Sequence, residues 1–188
     1  MRLEEARQIV SEADAKRDAA MRRVSNEAFE VLSKWLRKNG ERLPKLANTP
    51  RAMAAPQYGG WAIPWKVIDP DFSDRRERWW ELAGHIQPLH IVIAGPGHIA
   101  GIGKPSSQRS GRVTQWIMIL PVLKADNDPK GLTQRLPSYR RTFVHEFIHY
   151  LDHGANRARF SSSMSSRKAE RGDMVGYFTT PSEFNAYY

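Results

Sequence analysis

From position 2 to position 39 the chain contains neither proline nor glycine. Those two residues are the strongest local interrupters of a helix, so a run this long without them reads as helical. Leu3, Ala6, Val10, Ala13, Ala20, Val24, Leu32 and Trp35 recur at roughly helical spacing within it. Ser25 offers a start for a second helix, with Phe29, Leu32 and Leu36 on its inner face, and Gly40 is a natural stop. Such a segment serves as an arm, a helical hairpin, a self-association element or a helix packed on its own domain. The expected organisation is a helical arm over 1–44 and a body over 45–188.

The body reads as a mixture of short elements. Residues 43–75 are rich in Pro, Gly and aromatics and are expected to be irregular, followed by a short helix over 76–83 that contains Trp79 and Trp80. Residues 89–94 form a strand ended by Gly95-Pro96-Gly97, and the apolar run within 113–122 forms a second. With the Gly/Ser-rich connection over 101–111 between them, the two suggest a small sheet. A turn is expected over 126–131, then a helix from about 139 to 153 with Ser138 as N-cap and Gly154 as its stop. Beyond it lie a Ser-rich basic loop (157–172), a short strand (175–178) and a final helix opened by Pro181-Ser182. The fold class is α+β, and 40% apolar residues suffice for one core.

Composition narrows the chemistry. The absence of cysteine excludes disulfide staples and thiolate zinc sites, so any zinc is held by His, Asp or Glu. The net charge of +9 suits either a polyanionic partner such as nucleic acid or a plain solvated surface, and the spread of the charges favours the latter. The first residues lack a signal-peptide apolar core, and no stretch approaches the roughly 20 apolar residues of a membrane span, so a cytoplasmic protein is expected.

The segment His145-Glu146-Phe147-Ile148-His149 lies in the helix over 139–153. Residues four apart share a helical face, so His145 and His149 can present two imidazoles to one ion. Glu146, rotated by about 100° from His145, stays near that ion without being a ligand and can act as general base on a zinc-bound water. Phe143, Val144, Phe147, Ile148 and Leu151 provide the apolar faces that bury such a helix. The expected function is a zinc-dependent hydrolase, a peptidase above all.

Zinc needs further ligands. His153 is about 12 Å along a straight helix from His145, too far to share the ion. Glu183, at the start of the final helix, is the candidate third ligand, against a plain carboxylate favoured by the helix dipole. Asp152 either supports a ligand or caps the helix. Tyr177 either donates a hydrogen bond to the developing oxyanion or packs in the core, and His98 is a weaker candidate for the same task. His85 and His90 are read as structural.

His145-Glu146-Phe147-Ile148-His149 followed by Glu183 resembles the gluzincin branch of the zincin metallopeptidases. The tail Pro181-Ser182-Glu183-Phe184-Asn185-Ala186-Tyr187-Tyr188 resembles the Glu-bearing helix of small zincins of phages, plasmids and other mobile elements. The resemblance covers roughly 89–188. Gly154 follows His153, where metzincins place a glycine before their third histidine, so that branch does not fit. The resemblance implies a zincin-like domain with Zn2+ held by His145, His149 and Glu183, and Glu146 as general base. It also implies a sheet whose edge strand, taken as Trp116 to Leu120, holds an extended peptide substrate. The arm and the Trp-rich region match nothing in the family. Two other readings stand beside this one. The first is a non-catalytic component, for example of a phage particle and hence of a virion, assembling through the arm. The second is a basic nucleic-acid-binding regulator.

Overall fold

The computed structural model describes residues 3–47, 49–71, 88–103, 116–124 and 128–155. The Pro- and Gly-free run forms one continuous helix, α1, Leu3–Asn39. Ser25 does not begin a second helix. It is buried, and its hydroxyl donates to the Met21 carbonyl one turn back at 2.8 Å, a bond made inside an uninterrupted helix. A 3-10 turn, Gly40–Arg42, then leads into the single-turn helix α2, Leu43–Leu46.

The described residues within 43–71 are more regular than their composition suggests. They hold α2, strand β1 (Met53–Ala55), strand β2 (Gly60–Pro64) and the single-turn helix α3 (Trp65–Ile68). β2, opened by glycine and closed by proline, lacks the apolar run that marks β3 and β5 locally. Its identity comes from pairing with β3, Leu89–Ile93, in the antiparallel register Trp61 to Ile93 through Pro64 to His90. β5, Trp116–Leu120, runs parallel to β3 on its other side, from Leu89 opposite Trp116 to Ile93 opposite Leu120. β4, Gly101–Gly103, pairs antiparallel with β5.

The sheet order is therefore β1-β2-β3-β5-β4. This corrects one expectation, because β5 is an interior strand. Its outer side is taken by the glycine-flanked segment read from sequence as connection, and β4 and β1 are the two edge strands among the described residues. Gly60 is required by a close approach, since a β-carbon there would overlap the carbonyl oxygen of Ile93. The expected elements over 76–83, 157–172, 175–178 and the final helix lie outside the described residues.

Alternation along the strands sorts their side chains into two faces. Ile63, Leu89, Ile91, Ile93, Trp116, Met118 and Leu120 face the helices in one buried cluster, while Val92, Ala55 and Ala94 form a smaller cluster on the opposite face. The main cluster is completed by α1 and by α5, Arg140–Ala155, which follows the single-turn helix α4, Leu132–Arg135, and a 3-10 turn, Leu136–Tyr139. α1 contributes Met21, Val24, Phe29, Leu32 and Leu36 to it, so from Met21 onward this helix is packed on its own domain and the core runs across residue 44. The class is α+β, with two helices layered on one face of a mixed sheet. No helix among the described residues is long and apolar enough to cross a membrane.

Aromatic packing holds the layers together. Phe143 and Phe147 of α5 stack at 5.3 Å between ring centroids; Phe29 of α1 approaches Phe143 at 5.5 Å, and Trp65 of α3 approaches Phe147 at 5.4 Å. Polar links at the rim add less. Arg140 pairs with Glu30 at 3.0 Å and donates to Asn26 Oδ1 at 3.0 and 3.1 Å, but the ion pair is half exposed. Such pairs contribute roughly 0–1 kcal/mol, against about 3–5 kcal/mol lost when a buried Phe is truncated to Ala.

Urea denaturation should reproduce that ordering, with Phe147→Ala costing about 3–5 kcal/mol and Glu30→Gln under about 1 kcal/mol. Equal costs would contradict the aromatic seating of α5. Gly60→Ala should cost about 1–3 kcal/mol by the same measurement, because the sheet must shift to admit the methyl group. An unchanged midpoint would mean that the β2–β3 approach is looser than described.

Candidate metal centre

The approach to α5 is fixed before its first full turn. The Tyr139 hydroxyl donates to the Pro121 carbonyl at 2.7 Å, tying the start of the helix to the end of β5. Ser138 is not the expected N-cap. Its hydroxyl donates backwards to the Arg135 carbonyl at 2.7 Å, inside the 3-10 turn that runs directly into α5. α5 extends slightly past the expected stop at Gly154, to Ala155. Its Phe143, Phe147 and Leu151 enter the core, which fixes the rotation of the helix about its axis.

That rotation brings His145 and His149 together in a protected position. The two residues are only 7% and 6% exposed. Their Nε2 atoms lie 3.1 Å apart, with ring centroids at 4.5 Å and ring planes nearly perpendicular, at 88°. Two imidazole nitrogens bound to one tetrahedral zinc at about 2.0–2.1 Å stand about 3.3 Å from each other. The observed separation is within a small angular adjustment of that value. Without a cation the same distance is a hydrogen bond, in which one ring donates its Nε2–H and the other accepts. Either way the two Nε2 atoms converge on one point, and neutral imidazole nitrogen is a good zinc donor.

Glu146 completes the local arrangement. Its Oε1 lies 3.8 Å from His145 Nε2, and the two side chains are 13% and 9% exposed respectively. The carboxylate is too far for a good direct hydrogen bond but near enough to interact strongly with charge at the imidazole pair. The arrangement is two imidazoles on one line of the helix with a carboxylate beside them.

The other histidines fall elsewhere. His90 sits on the strand face opposite α5, between Pro64 and Ile117 in register. Burial, with help from the neighbouring Lys66 ammonium, lowers its pKa, which fits a neutral structural histidine. His98 follows the end of β3, where its ring meets Tyr58 at 5.7 Å between centroids. His85, Tyr177 and Glu183 lie outside the described residues, as do the side chains of Asp152 and His153. Among the described residues, no group of three or more His, Asp or Glu side chains gathers as a metal site; His145 and His149 stand as a pair.

Two features of the surroundings escape a reading of the sequence. β4, an edge strand among the described residues, packs alongside α5. A cleft of about 460 Å³ reaches His145 between α1 and the start of α5, with Arg22, Arg140 and Arg141 among its lining residues. Arg140-Arg141, just ahead of the motif, is a visible signal for two of those three arginines, whereas Arg22 is brought there only by helix packing. Compared with protein-family models, curated proteins and solved structures, the chain has no match in any of the three.

Proposed function

We propose that the protein is a zinc metallopeptidase of the gluzincin kind, built on a zincin-like domain. One observation supports this reading above the others, namely two buried Nε2 atoms 3.1 Å apart with the Glu146 carboxylate 3.8 Å from one of them. His145 and His149 are two zinc ligands, and Glu183, from the chain beyond α5, is the third. Zinc bound there supplies Lewis acidity, polarising a peptide carbonyl and making water a better nucleophile near neutral pH.

The chain's own residues do the rest. Glu146 takes a proton from the attacking water and returns it to the leaving amine nitrogen, a role that needs its carboxylate close to the imidazole pair but not bound in it. Tyr177 donates a hydrogen bond to the oxygen that gains charge as the carbonyl is attacked. Burial of the pair excludes bulk water and strengthens each of these interactions. The substrate is a peptide or protein. Its extended backbone pairs with the edge strand β4, which lies beside α5 and takes the part first assigned to β5.

Metal analysis of the purified full chain tests this directly. The expected result is close to one zinc per chain, lost in His145→Ala and in Glu183→Ala. Glu146→Gln should keep its zinc while peptide hydrolysis falls by about 10²–10⁴-fold. Zinc retained in His145→Ala would overturn the site, zinc retained in Glu183→Ala would remove Glu183 from the ligand set, and full hydrolysis by Glu146→Gln would remove the base.

A further inference from the structure

We infer that the outer surface of the chain from Lys34 to Lys45 is a docking site for duplex nucleic acid, held through its phosphate backbone without regard to base sequence. The net charge of +9 is spread along the chain, but the fold gathers part of it here. Residues 34–45 cover the last turns of α1, the 3-10 turn and the start of α2. Leu36, Gly40, Leu43 and Leu46 take the inner side of this path and are buried. Their spacing leaves Lys34, Arg37, Lys38, Arg42 and Lys45 on the outer side, and all five are exposed. Nothing in this surface depends on a metal at His145 and His149.

The charges of these five side chains are not offset within the fold. Among the described residues none of them makes an ion pair or a hydrogen bond, in contrast to Arg140, which Glu30 and Asn26 hold. Glu41 is the one carboxylate over 34–45, and it too makes no ion pair among the described residues. The negative end of the α1 dipole accounts for Arg37 and Lys38, which lie in its last turn. It does not account for Arg42 and Lys45, which lie beyond the end of that helix. Five like charges within about 16 Å of helical path repel one another, and a bound polyanion relieves that repulsion.

The make-up of the surface selects among polyanions. Three of the five cations are lysines, whose ammonium is a point charge on a flexible stem. That suits a row of phosphates better than the paired donor fork that a few carboxylates call for. A duplex presents one charge per about 1.7 Å of its axis, so several phosphates come within reach of a stretch about 16 Å long. A bilayer fits less well. The exposed large apolar side chains among the described residues are Met53 and Ile99, and neither belongs to this stretch, so nothing here inserts between lipids. A single strand also fits less well, because its bases stack on exposed aromatic faces, and Trp35, the aromatic residue of the stretch, is half-buried against the core.

The test is fluorescence anisotropy of a labelled DNA duplex of about 20 base pairs, titrated with the full chain across a salt series. The logarithm of the binding constant should fall with the logarithm of salt concentration at a slope of about −4 to −5, and a duplex of scrambled sequence should give the same line. Lys38→Gln combined with Lys45→Gln should reduce the magnitude of the slope by about 2 and weaken binding about 10–100-fold near ~0.1 M salt, while Lys38→Arg combined with Lys45→Arg keeps both. Lys16→Gln combined with Arg23→Gln removes the same charge from exposed positions earlier on α1, more than a Debye length away, and should change binding by less than about threefold. Absence of duplex binding overturns the inference, and so does equal weakening by the two Gln pairs. Tighter binding of a polyglutamate peptide, of phosphatidylserine vesicles or of a single-stranded oligonucleotide than of the duplex overturns it as well.

Discussion

The stacking of Phe143 on Phe147, wedged between Phe29 and Trp65, is the constraint on which the site depends. Those rings settle the rotation and depth of α5 beneath the sheet. A helix with a looser apolar face could turn by the tens of degrees that separate adjacent positions, and His145 and His149 would then face different surroundings. Because Phe143, Phe147 and Leu151 are fully enclosed, the imidazoles have one place to go, and that place is shared. The functional geometry is thus a consequence of apolar packing rather than of polar contacts.

Packing alone does not explain why polar groups occupy so protected a position. Burying imidazole and carboxylate costs free energy unless hydrogen bonds or a cation compensate. The proposed divalent cation would offset this cost, since it would interact favourably with both nitrogens and with the neighbouring Glu146. An edge strand lies on one side of α5, and an arginine-lined cleft reaches His145. Edge strand, imidazole pair and arginine-lined wall meet at this one helix, with β4 and Arg22 of α1 brought to it from elsewhere in the chain.

How much of this could be read from residues alone follows from the range of the interactions. α1 was legible because the lack of Pro and Gly is a local property, and β3 and β5 because Ile91, Val92, Ile93 and the Ile117 to Leu120 run are apolar in sequence. The motif helix was legible because its spacing only makes sense on a helix. β1, β2 and β4 were not, since three- to five-residue segments bounded by glycine or proline become strands only through a partner strand. The stripe on α1 showed that the helix has a partner without showing which one, and Phe143 turned out to be part of it. The cleft was hidden for the same reason: Asn26 and Arg140, which meet across it, are 114 residues apart.

X-ray absorption at the zinc edge, recorded on the zinc-loaded full chain, bears most directly on the claim that His145 and His149 grip one cation. The account predicts a nitrogen and oxygen shell at about 2.0–2.1 Å with the outer-shell signature of two imidazoles, reduced to one when His149 is replaced by Ala. An oxygen-only shell, or an imidazole signature that survives replacement of both histidines, would contradict it.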